Sequence, residues 1–272
     1  MVINNELAGL ARTRTVSGIL RKACFGEVIE GRYRAKLAET RGEVESALRL
    51  RYEVFNVELA AATNYKTGAP GLDFDEYDHA CKHLIIVEWS TGKTVGTYRI
   101  NSIESARDAR GFYANNEFCL EDLPFGVLSQ SMEVGRACIA REHRNSKVLF
   151  LLLKALLKYL KQSRKRYFFG CCSLFTQDTA IGARIFRQFE REGFIHPKIR
   201  VRPRPECALP TNNFLNDSEH LKLPSLFNIY LKMGVKICGA PVIDREFGTI
   251  DFFVIFDLPM MNDKYRQMFF PT

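Results

Sequence analysis

Apolar residues recur along this chain with two periods, one typical of strands and one typical of helices. Alternation at every second position, or a short apolar run, predicts strands at 32–39, 83–89, 94–100, 131–140, 166–175 and 249–258. Helical spacing predicts longer helices at 41–55, 146–163, 179–192 and 223–233. Strands and helices in this order predict one α/β domain built around a mixed sheet.

The predicted domain occupies residues 31–272 and has an additional segment at each end. Residues 1–30 show helical periodicity, which predicts an amphipathic helical extension. A C-terminal extension begins at about residue 205, after a basic, Pro-rich stretch. The segment 56–74 is rich in Asn, Gly, Thr and Pro, so we expect a loop there that partly covers a site.

Positive charge is concentrated in one part of the chain. The net charge at pH 7 is +8, and residues 141–206 carry 16 Lys and Arg against 5 Asp and Glu, a net of +11. The partner of a basic surface is acidic, which leaves nucleic acid, an anionic membrane and an acidic protein as candidates. The sequence matches no nucleic-acid-binding module, so we do not expect nucleic acid as a partner.

The eight cysteines lie mostly in apolar surroundings and form no CxxC pair. No apolar run at the N-terminus is long enough for a signal peptide, so we expect reduced cysteines in a cytoplasmic protein. The longest apolar stretch begins at Val148 and is interrupted by Lys154 and Lys158. It falls short of the ~20 residues that a transmembrane helix needs, so we expect no membrane span.

Charged residues occur at unusual places in several predicted elements. Glu133 and Arg136 lie three apart in an apolar strand, where each costs several kcal/mol unless it has a partner. A structural ion pair within the sheet explains them as well as a functional site does. Arg51 lies on the apolar face of its helix, and Arg99 ends a strand. Because these elements are expected to meet at one edge of the sheet, their charges can form one site.

Four carboxylates crowd the run DFDEYD, at the end of the predicted loop. A solvated acidic loop is one explanation, and Ca²⁺ is another, although the run lacks the glycine and distal Glu of a helix-loop-helix calcium site. A third explanation is that Asp75 and Asp78 hold the ammonium of a cationic substrate. His79, Cys81 and His83 alternate nearby, but no fourth ligand is evident, so we expect no metal site.

The chain resembles one known family in seven stretches that follow the same order: LRYEVF, DEYDHACKHLIIVE, VGTYRI, GFYANNEF, MEVGRACI, YFFGCCSL and the tail beginning LPSLFNIYLKMGV. It is similar to the ornithine lipid synthase-type N-acyltransferases, also labelled hemolysin-like, of the GNAT superfamily. Acyl-homoserine-lactone synthases are related and share the pattern LRxxxF, DxxD, GxxR and ExxR. The similarity spans roughly residues 32–268.

The resemblance implies a GNAT-like α/β fold with a mixed, mostly antiparallel sheet, splayed central strands and flanking helices. It implies transfer of a 3-hydroxy fatty acyl group from acyl carrier protein to the α-amine of ornithine, the first step of ornithine lipid synthesis. Glu133 would act as the general base or orient the amine, and a backbone N–H near Cys138 would stabilise the oxyanion. The residues expected to bind the amino acid are Arg51, Phe55, Asp75, Asp78, Arg99 and Arg136.

The same resemblance places the pantetheine arm of the donor between the strands 131–140 and 167–175. The turn after the first strand normally binds the CoA pyrophosphate through a glycine-rich sequence, whereas this chain has REHRNSKV, without glycine. The expected donor and partner is therefore acyl carrier protein, whose acylated phosphopantetheine is the co-substrate, and no cofactor is expected. The residues expected to meet the arm and the carrier protein are Arg141, Arg144, Lys147 and Ser173.

The chain departs from the lactone synthases at one place. They usually carry a tryptophan shortly after the LRxxxF helix, where this chain has Ala61 and Ala62, so we do not expect lactone synthesis. Two alternatives stay open: the same chemistry on another acceptor, such as glycine or lysine, and a non-catalytic, membrane-binding protein on the same scaffold. The expected location is the cytoplasm, with an anionic membrane surface as a further partner.

Overall fold

The structure, a computed structural model, describes residues 25–59, 71–107, 109–209 and 220–271. The described strands are β1 (Val28–Glu30), β2 (Tyr33–Leu37), β3 (Lys82–Glu88), β4 (Thr94–Ser102), β5 (Ser131–Ile139), β6 (Tyr167–Leu174), β7 (Lys236–Ile237), β8 (Val242–Asp244) and β9 (Thr249–Asp257). The described α-helices are α1 (Arg41–Arg51), α2 (Ile103–Arg107), α3 (Phe125–Leu128), α4 (Ser146–Gln162), α5 (Thr179–Arg191), α6 (Ser225–Met233) and α7 (Asp263–Phe269).

The chain divides into two units that alternate along the sequence. Unit 1 comprises residues 1–60, 66–111 and 134–165, and unit 2 comprises residues 61–65, 112–133 and 166–272. Strand β5 therefore contributes its first three residues to unit 2 and the rest to unit 1.

Unit 1 is built on antiparallel strands in the order β1-β2-β3-β4, with β5 next to β4. Helix α1 begins with a capping box, because the hydroxyl of Thr40 accepts from the N–H of Glu43 and the Glu43 carboxylate accepts from the N–H of Thr40. It packs on β3 and β4, where Ala47 meets Ile85 and Val87. Helix α4 packs its leucine-rich side on the same four strands.

Unit 2 is built around β9, which pairs antiparallel with β6, β7 and β8. The first residues of β5, Ser131–Glu133, pair parallel with Tyr167–Phe169 of β6. One face of β6 and β9 packs against α5 and α6 in an apolar cluster that includes Leu174, Phe189, Phe227, Ile250 and Phe252. Asp178 caps α5, because its carboxylate accepts from the N–H groups of the first turn.

The predicted α/β fold with a mixed, mostly antiparallel sheet is confirmed, since β5 and β6 pair parallel, whereas β1–β2, β2–β3, β3–β4, β6–β9, β7–β9 and β8–β9 pair antiparallel. All six predicted strands and all four longer helices are present with small differences at their ends. The helix predicted at 41–55 ends as an α-helix at Arg51 and continues as a π-helix over Tyr52–Glu58. The short elements β1, β7, β8, α2, α3 and α7 are additional.

The predicted extensions and loop are described only in part. Residues 1–24 of the N-terminal extension lie outside the described residues, and its end is corrected, because Val28–Glu30 forms strand β1 and not helix. A segment of three residues is too short to form a stable helix. Val28–Glu30 instead forms backbone hydrogen bonds with β2. Residues 60–70 of the predicted loop also lie outside the described residues. The assignment of 31–272 to one domain stays a prediction.

None of the helices in the described part of the chain combines the length and apolar character that crossing a bilayer requires. The seven described cysteines are free.

Candidate functional site

Arg51, at the end of α1, is the centre of a buried group of charges in unit 1. Its side chain is fully buried. Its guanidinium donates to Asp73 through Nε, at 2.8 Å, and through Nη2. It also donates to both carboxylate oxygens of Asp78, at 2.7 and 3.1 Å. Two buried carboxylates are thus bound by one planar fork of N–H donors, the geometry that arginine supplies and lysine does not.

Two further arginines complete the group. Arg99, on β4, donates from Nη1 to both oxygens of Asp75 at 2.6 Å and to Asp78 Oδ1 at 3.3 Å. Arg136, on β5, donates to Asp75 Oδ2 at 3.3 Å, and its Nε lies 3.7 Å from Asp73 Oδ1. We call these residues the ion network: Arg51, Asp73, Asp75, Asp78, Arg99 and Arg136. The structure therefore brings together Arg51, Asp75 and Asp78, Arg99 and Arg136 from the motifs that the sequence singled out, whereas Glu133 lies in unit 2.

Local backbone structure fixes the aspartates of the ion network. Asp75 is the N-cap of the 3₁₀-helix Glu76–His79, and its Oδ1 accepts from the N–H of Tyr77 at 3.0 Å. Asp78 Oδ2 accepts in return from the N–H of Asp75 at 2.9 Å. The spacing DxxD is thus a capping box that presents both carboxylates to the arginines.

Unusual backbone conformations occur at or directly after two arginines of the ion network, Arg51 and Arg136. The π-helix Tyr52–Glu58, which follows Arg51 and buries Phe55, is a geometry frequent at functional sites. Arg136 has φ of 51°, a left-handed conformation that costs about 1–2 kcal/mol for a residue with a Cβ. Arg136 interrupts the regular alternation of β5. Residues 131–133 of this strand are buried, and residues 134–137 are half-buried. Ion pairing of Arg136 offsets part of that cost.

Charge balance explains why these groups can be buried. Burial would raise the pKa of Asp78, but the charges of Arg51 and Arg99 outweigh it and hold that pKa well below its usual range. Burial would likewise lower the pKa of Arg99, and Asp78 and Asp75 raise it instead. Three arginines and three aspartates leave the ion network formally neutral.

His83, on β3, lies at the edge of the ion network. Its side chain is 2% exposed, and its Nε2 is 3.9 Å from Asp78 Oδ1. Burial lowers the pKa of His83 to about 4, and the charges of Arg51 and Arg99 add to this while Asp78 opposes it. The imidazole is therefore neutral at pH 7 and does not disturb the balance of charge.

Glu133, the predicted general base, belongs to unit 2. Its carboxylate accepts from the N–H groups of Tyr113, at 3.0 Å, and Ala114, at 2.7 Å. These are the first residues of the 3₁₀-helix Tyr113–Asn116, so Glu133 fixes the start of that segment. The carboxylate is held in one position, as a general base must be, and its catalytic role stays a prediction.

The residues predicted to meet the donor lie around the start of α4 and on β6. Arg141, Arg144 and Lys147 have exposed side chains beside the N-terminus of α4, which Asn145 caps. Arg144 donates to Glu58 at 2.6 Å and to the carbonyl of Ile139, so Arg141 and Lys147 are better placed to meet an anion. The predicted role of all three residues stays a prediction.

Two further predicted residues lie within strands. Cys138 is buried in β5, and burial raises the pKa of its thiol. The predicted contribution of a backbone N–H near it is independent of the thiol. Ser173 is half-buried on β6, directly opposite Asp251 of β9.

Unit 2 contains a second group of polar side chains that the sequence analysis missed. One ligand atom each from Glu117, Cys171 and Asp251 lies within 4.8 Å of the others. We call these three residues the carboxylate cluster. Burial raises the pKa of the Cys171 thiol well above its usual range, and the charges of Glu117, Asp251 and Glu133 raise it further. The thiol is therefore protonated, which makes it a poor nucleophile.

A signal for the missed residues exists in the sequence. Asp73 is the first acid of DFDEYD, and Asp251 interrupts the apolar strand TIDFFVIF. A carboxylate in a buried strand needs a partner or a function, the same argument that selected Glu133.

Comparison with known proteins shows what this chain is similar to. A family model described as an acetyltransferase (GNAT) domain matches residues 50–154. L-ornithine N(alpha)-acyltransferase of Brucella abortus (strain 2308) is 27% identical over 252 residues, covering 86% of this chain and 88% of that protein. L-ornithine N(alpha)-acyltransferase of Rhodobacter capsulatus is 26% identical over 245 residues, covering 87% of this chain and 94% of that protein.

Residues 50–154 of this chain therefore match a GNAT domain, and the chain over most of its length is similar to N-acyltransferases. The predicted family resemblance, fold class and acyltransferase activity are confirmed. Among solved structures, the AHL synthase LasI aligns with a TM-score of 0.49 at 13% identity, covering 88% of this chain and 94% of that chain. The GNAT match begins at residue 50 and so includes all six residues of the ion network.

Replacing Arg51 tests whether the ion network stabilises the GNAT domain. In Arg51→Met, the carboxylates of Asp73 and Asp78 stay buried without the arginine they share. We expect the free energy of unfolding to fall by about 3–5 kcal/mol, measured by urea denaturation followed by circular dichroism. Arg49→Met is the matched control, because Arg49 is exposed and its ion pair among the described residues is with Glu45 in the same helix; its change should stay within about 0.5 kcal/mol. Equal stability of the two variants contradicts a stabilising network.

His83 gives the GNAT domain a pH-dependent stability. Its pKa is about 4 when folded and about 6.5 when unfolded, so the unfolded state binds more protons between these values. Stability is therefore lost as the pH falls from 6.5 to 4, by up to about 3 kcal/mol. The carboxylate of Asp78, with its lowered pKa, adds a separate loss below pH 4.

The expected result is that His83→Gln unfolds with a smaller loss of stability between pH 6.5 and 4 than the parent protein. Urea denaturation at several pH values measures the difference. His220→Gln is the control, since His220 is exposed, and it should retain the parent's pH dependence. Parallel curves for His83→Gln and the parent protein would show that another group titrates in this window.

Proposed function

We propose that the protein transfers a 3-hydroxy fatty acyl group from acyl carrier protein to the α-amine of L-ornithine. One observation carries this proposal: the chain is similar, over most of its length, to proteins named L-ornithine N(alpha)-acyltransferase, and it covers 83–94% of them. Similarity of that extent includes both units and so the parts of the chain that recognise substrates.

The proposed reaction is a direct transfer. The neutral α-amine attacks the thioester carbonyl, a C–N bond forms, and the C–S bond breaks as the pantetheine thiol leaves. The amine loses one proton and the thiol gains one. Glu133 is the proposed general base or orienting group, because its carboxylate is fixed by the N–H groups of Tyr113 and Ala114. Water carries the proton if Glu133 only orients the amine.

Two features support acyl carrier protein as the donor. The turn before α4, REHRNSKV, lacks the glycines with which a backbone loop approaches a pyrophosphate. Arg141 and Lys147 are exposed at the same helix N-terminus, where a phosphate of the pantetheine arm is favoured. The surrounding segment 141–206, with its net charge of +11, also suits an acidic carrier protein. We place the protein in the cytoplasm, with an anionic membrane surface as a second partner.

A thiol-release assay tests the proposed function. Purified protein is given 3-hydroxyacyl carrier protein and one amino acid, and free carrier thiol is measured with a chromogenic disulfide. We expect release with ornithine, less with glycine or lysine, and slower release when acyl-CoA replaces the carrier protein. Faster thiol release with glycine or lysine than with ornithine would show that the protein acylates another amino acid. Binding to anionic vesicles without thiol release from any amino acid would favour a non-catalytic protein.

Reversing the charge at Arg141 tests the proposed donor surface. In Arg141→Glu, repulsion replaces attraction toward the phosphate and the acidic carrier, so KM for acyl carrier protein should rise about tenfold. KM for the amino acid should not change. Lys198→Glu, an exposed residue of the same basic segment, is the control and should keep the parent's KM values. Equal effects of the two charge reversals would indicate that KM for acyl carrier protein depends on the overall charge of the protein and not on a specific surface.

A further inference from the structure

The carboxylate of Glu133 is bound by the start of a segment of unit 2, residues 112–118. Its Oε2 accepts from the N–H of Tyr113 at 3.0 Å, and its Oε1 accepts from the N–H of Ala114 at 2.7 Å. Tyr113 and Ala114 begin the 3₁₀-helix Tyr113–Asn116, and the first N–H groups of a helix have no partner within it. The position of the Glu133 carboxylate therefore depends on where these two N–H groups point.

Aromatic contacts hold residues 112–118 on the sheet of unit 2. The ring of Phe112 meets Phe169 of β6 edge to face, with centroids 5.1 Å apart. The ring of Phe118 packs against Phe253 of β9, with centroids 5.4 Å apart. Because hydrophobic contacts are not directional, they determine where the segment lies but not the direction of its first N–H groups.

A directional contact is made by the side chain of Tyr113. Its hydroxyl donates to Asp244 Oδ2 at 3.3 Å. Asp244 is the last residue of β8 and is 9% exposed. Tyr113 thus connects two carboxylates of unit 2, since its main chain donates to Glu133 and its side chain donates to Asp244.

Asp244 is itself held in one position. Its Oδ1 accepts from the N–H of Phe247 at 2.7 Å, and its carbonyl accepts from the N–H of Gly248 at 2.9 Å. The same carbonyl also accepts from Gln177 Nε2 at 3.2 Å. These bonds close the turn between β8 and β9, so one carboxylate oxygen of Asp244 fixes the turn and the other is presented to Tyr113.

We propose that Tyr113 and Asp244 are positioning residues for Glu133 in the acyl transfer. Their hydrogen bond sets the direction of the N–H groups of residues 113 and 114, and these hold the Glu133 carboxylate where it meets the α-amine. The proposal rests on the proposed function, in which Glu133 is the general base or orienting group. It gives a role to GFYANNEF and to the C-terminal tail, two stretches that the sequence analysis singled out by resemblance.

Geometry is the reason that such positioning affects the reaction. A general base must lie within hydrogen-bond reach of the proton that it removes, and a displacement of about 1 Å costs up to about a hundredfold in rate. Loss of the Tyr113 hydroxyl leaves the aromatic contacts of Phe112 and Phe118 in place and frees the start of the 3₁₀-helix to rotate. The proposal gives Tyr113 and Asp244 no contact with the acyl donor, so KM for the donor should not depend on them.

Tyr113→Phe tests the proposal, because phenylalanine keeps the ring and removes the hydroxyl. We expect kcat with ornithine to fall about five- to tenfold and KM for the acyl donor to stay unchanged, in a variant that circular dichroism shows to be folded. A hydrogen bond that only stabilises the fold would leave kcat of the folded variant unchanged. Tyr230→Phe is the matched control, since Tyr230 packs against the apolar cluster of unit 2, and it should keep the parent's kcat.

Substitutions of Asp244 test the other side of the hydrogen bond. Asp244→Asn keeps hydrogen-bonding groups toward Phe247 and Tyr113 and should retain most of the parent's kcat. Asp244→Ala removes both and should lose at least as much kcat as Tyr113→Phe. If Asp244→Asn loses as much as Asp244→Ala, the charge of Asp244 matters and not its hydrogen bond, and the positioning role is wrong.

A double substitution tests whether Tyr113 acts through Glu133. In a Glu133→Ala background no carboxylate remains to be positioned, so adding Tyr113→Phe should cause no further loss of the residual kcat. A further loss of about fivefold or more would show that Tyr113 acts independently of Glu133, which overturns the inference.

The outcomes separate this inference from the proposed function. If the parent protein acylates no amino acid, the proposed function fails. If it acylates ornithine and Tyr113→Phe keeps the parent's kcat, the function stands and the positioning role of Tyr113 and Asp244 is wrong.

Discussion

The buried pairing of Arg51 with Asp73 and Asp78 is the interaction on which unit 1 depends. Ions of this size cost several kcal/mol each to remove from water, so every member needs its partners at short range. The end of α1, the 3₁₀-helix Glu76–His79, β4 and β5 must therefore all be in place before any one charge is satisfied. A strained residue, Arg136, is tolerated because its guanidinium belongs to this arrangement.

The same balance of charge limits what the ion network can do chemically. With three arginines and three aspartates, it offers a ligand little net attraction, and most of its hydrogen-bonding capacity is used internally. The carboxylate cluster of unit 2 differs in kind, since it gathers acids on a sheet face that also holds the Thr249 hydroxyl, which has no partner in the described part of the chain.

Hydrophobic periodicity was sufficient to predict the main strands and the four longer helices, because a long element repeats its apolar pattern several times. It missed β1, β7 and β8, which have two or three residues and depend on neighbouring strands for their hydrogen bonds. In the site, the motifs around Arg51, Asp75, Arg99 and Glu133 could be found because charges in apolar elements stand out. Glu117 could not, since it lies in an irregular segment and only the contact of Phe118 with Phe253 brings it to Asp251.

The alternation of the two units along the sequence has a consequence for how the protein can be divided. Residues 112–133 of unit 2 separate two parts of unit 1, so no single cleavage of the chain yields either unit whole. A fragment ending at residue 111 would keep three aspartates of the ion network but only two of its arginines. During synthesis from the N-terminus, the ion network therefore lacks one of its three arginines until β5 emerges.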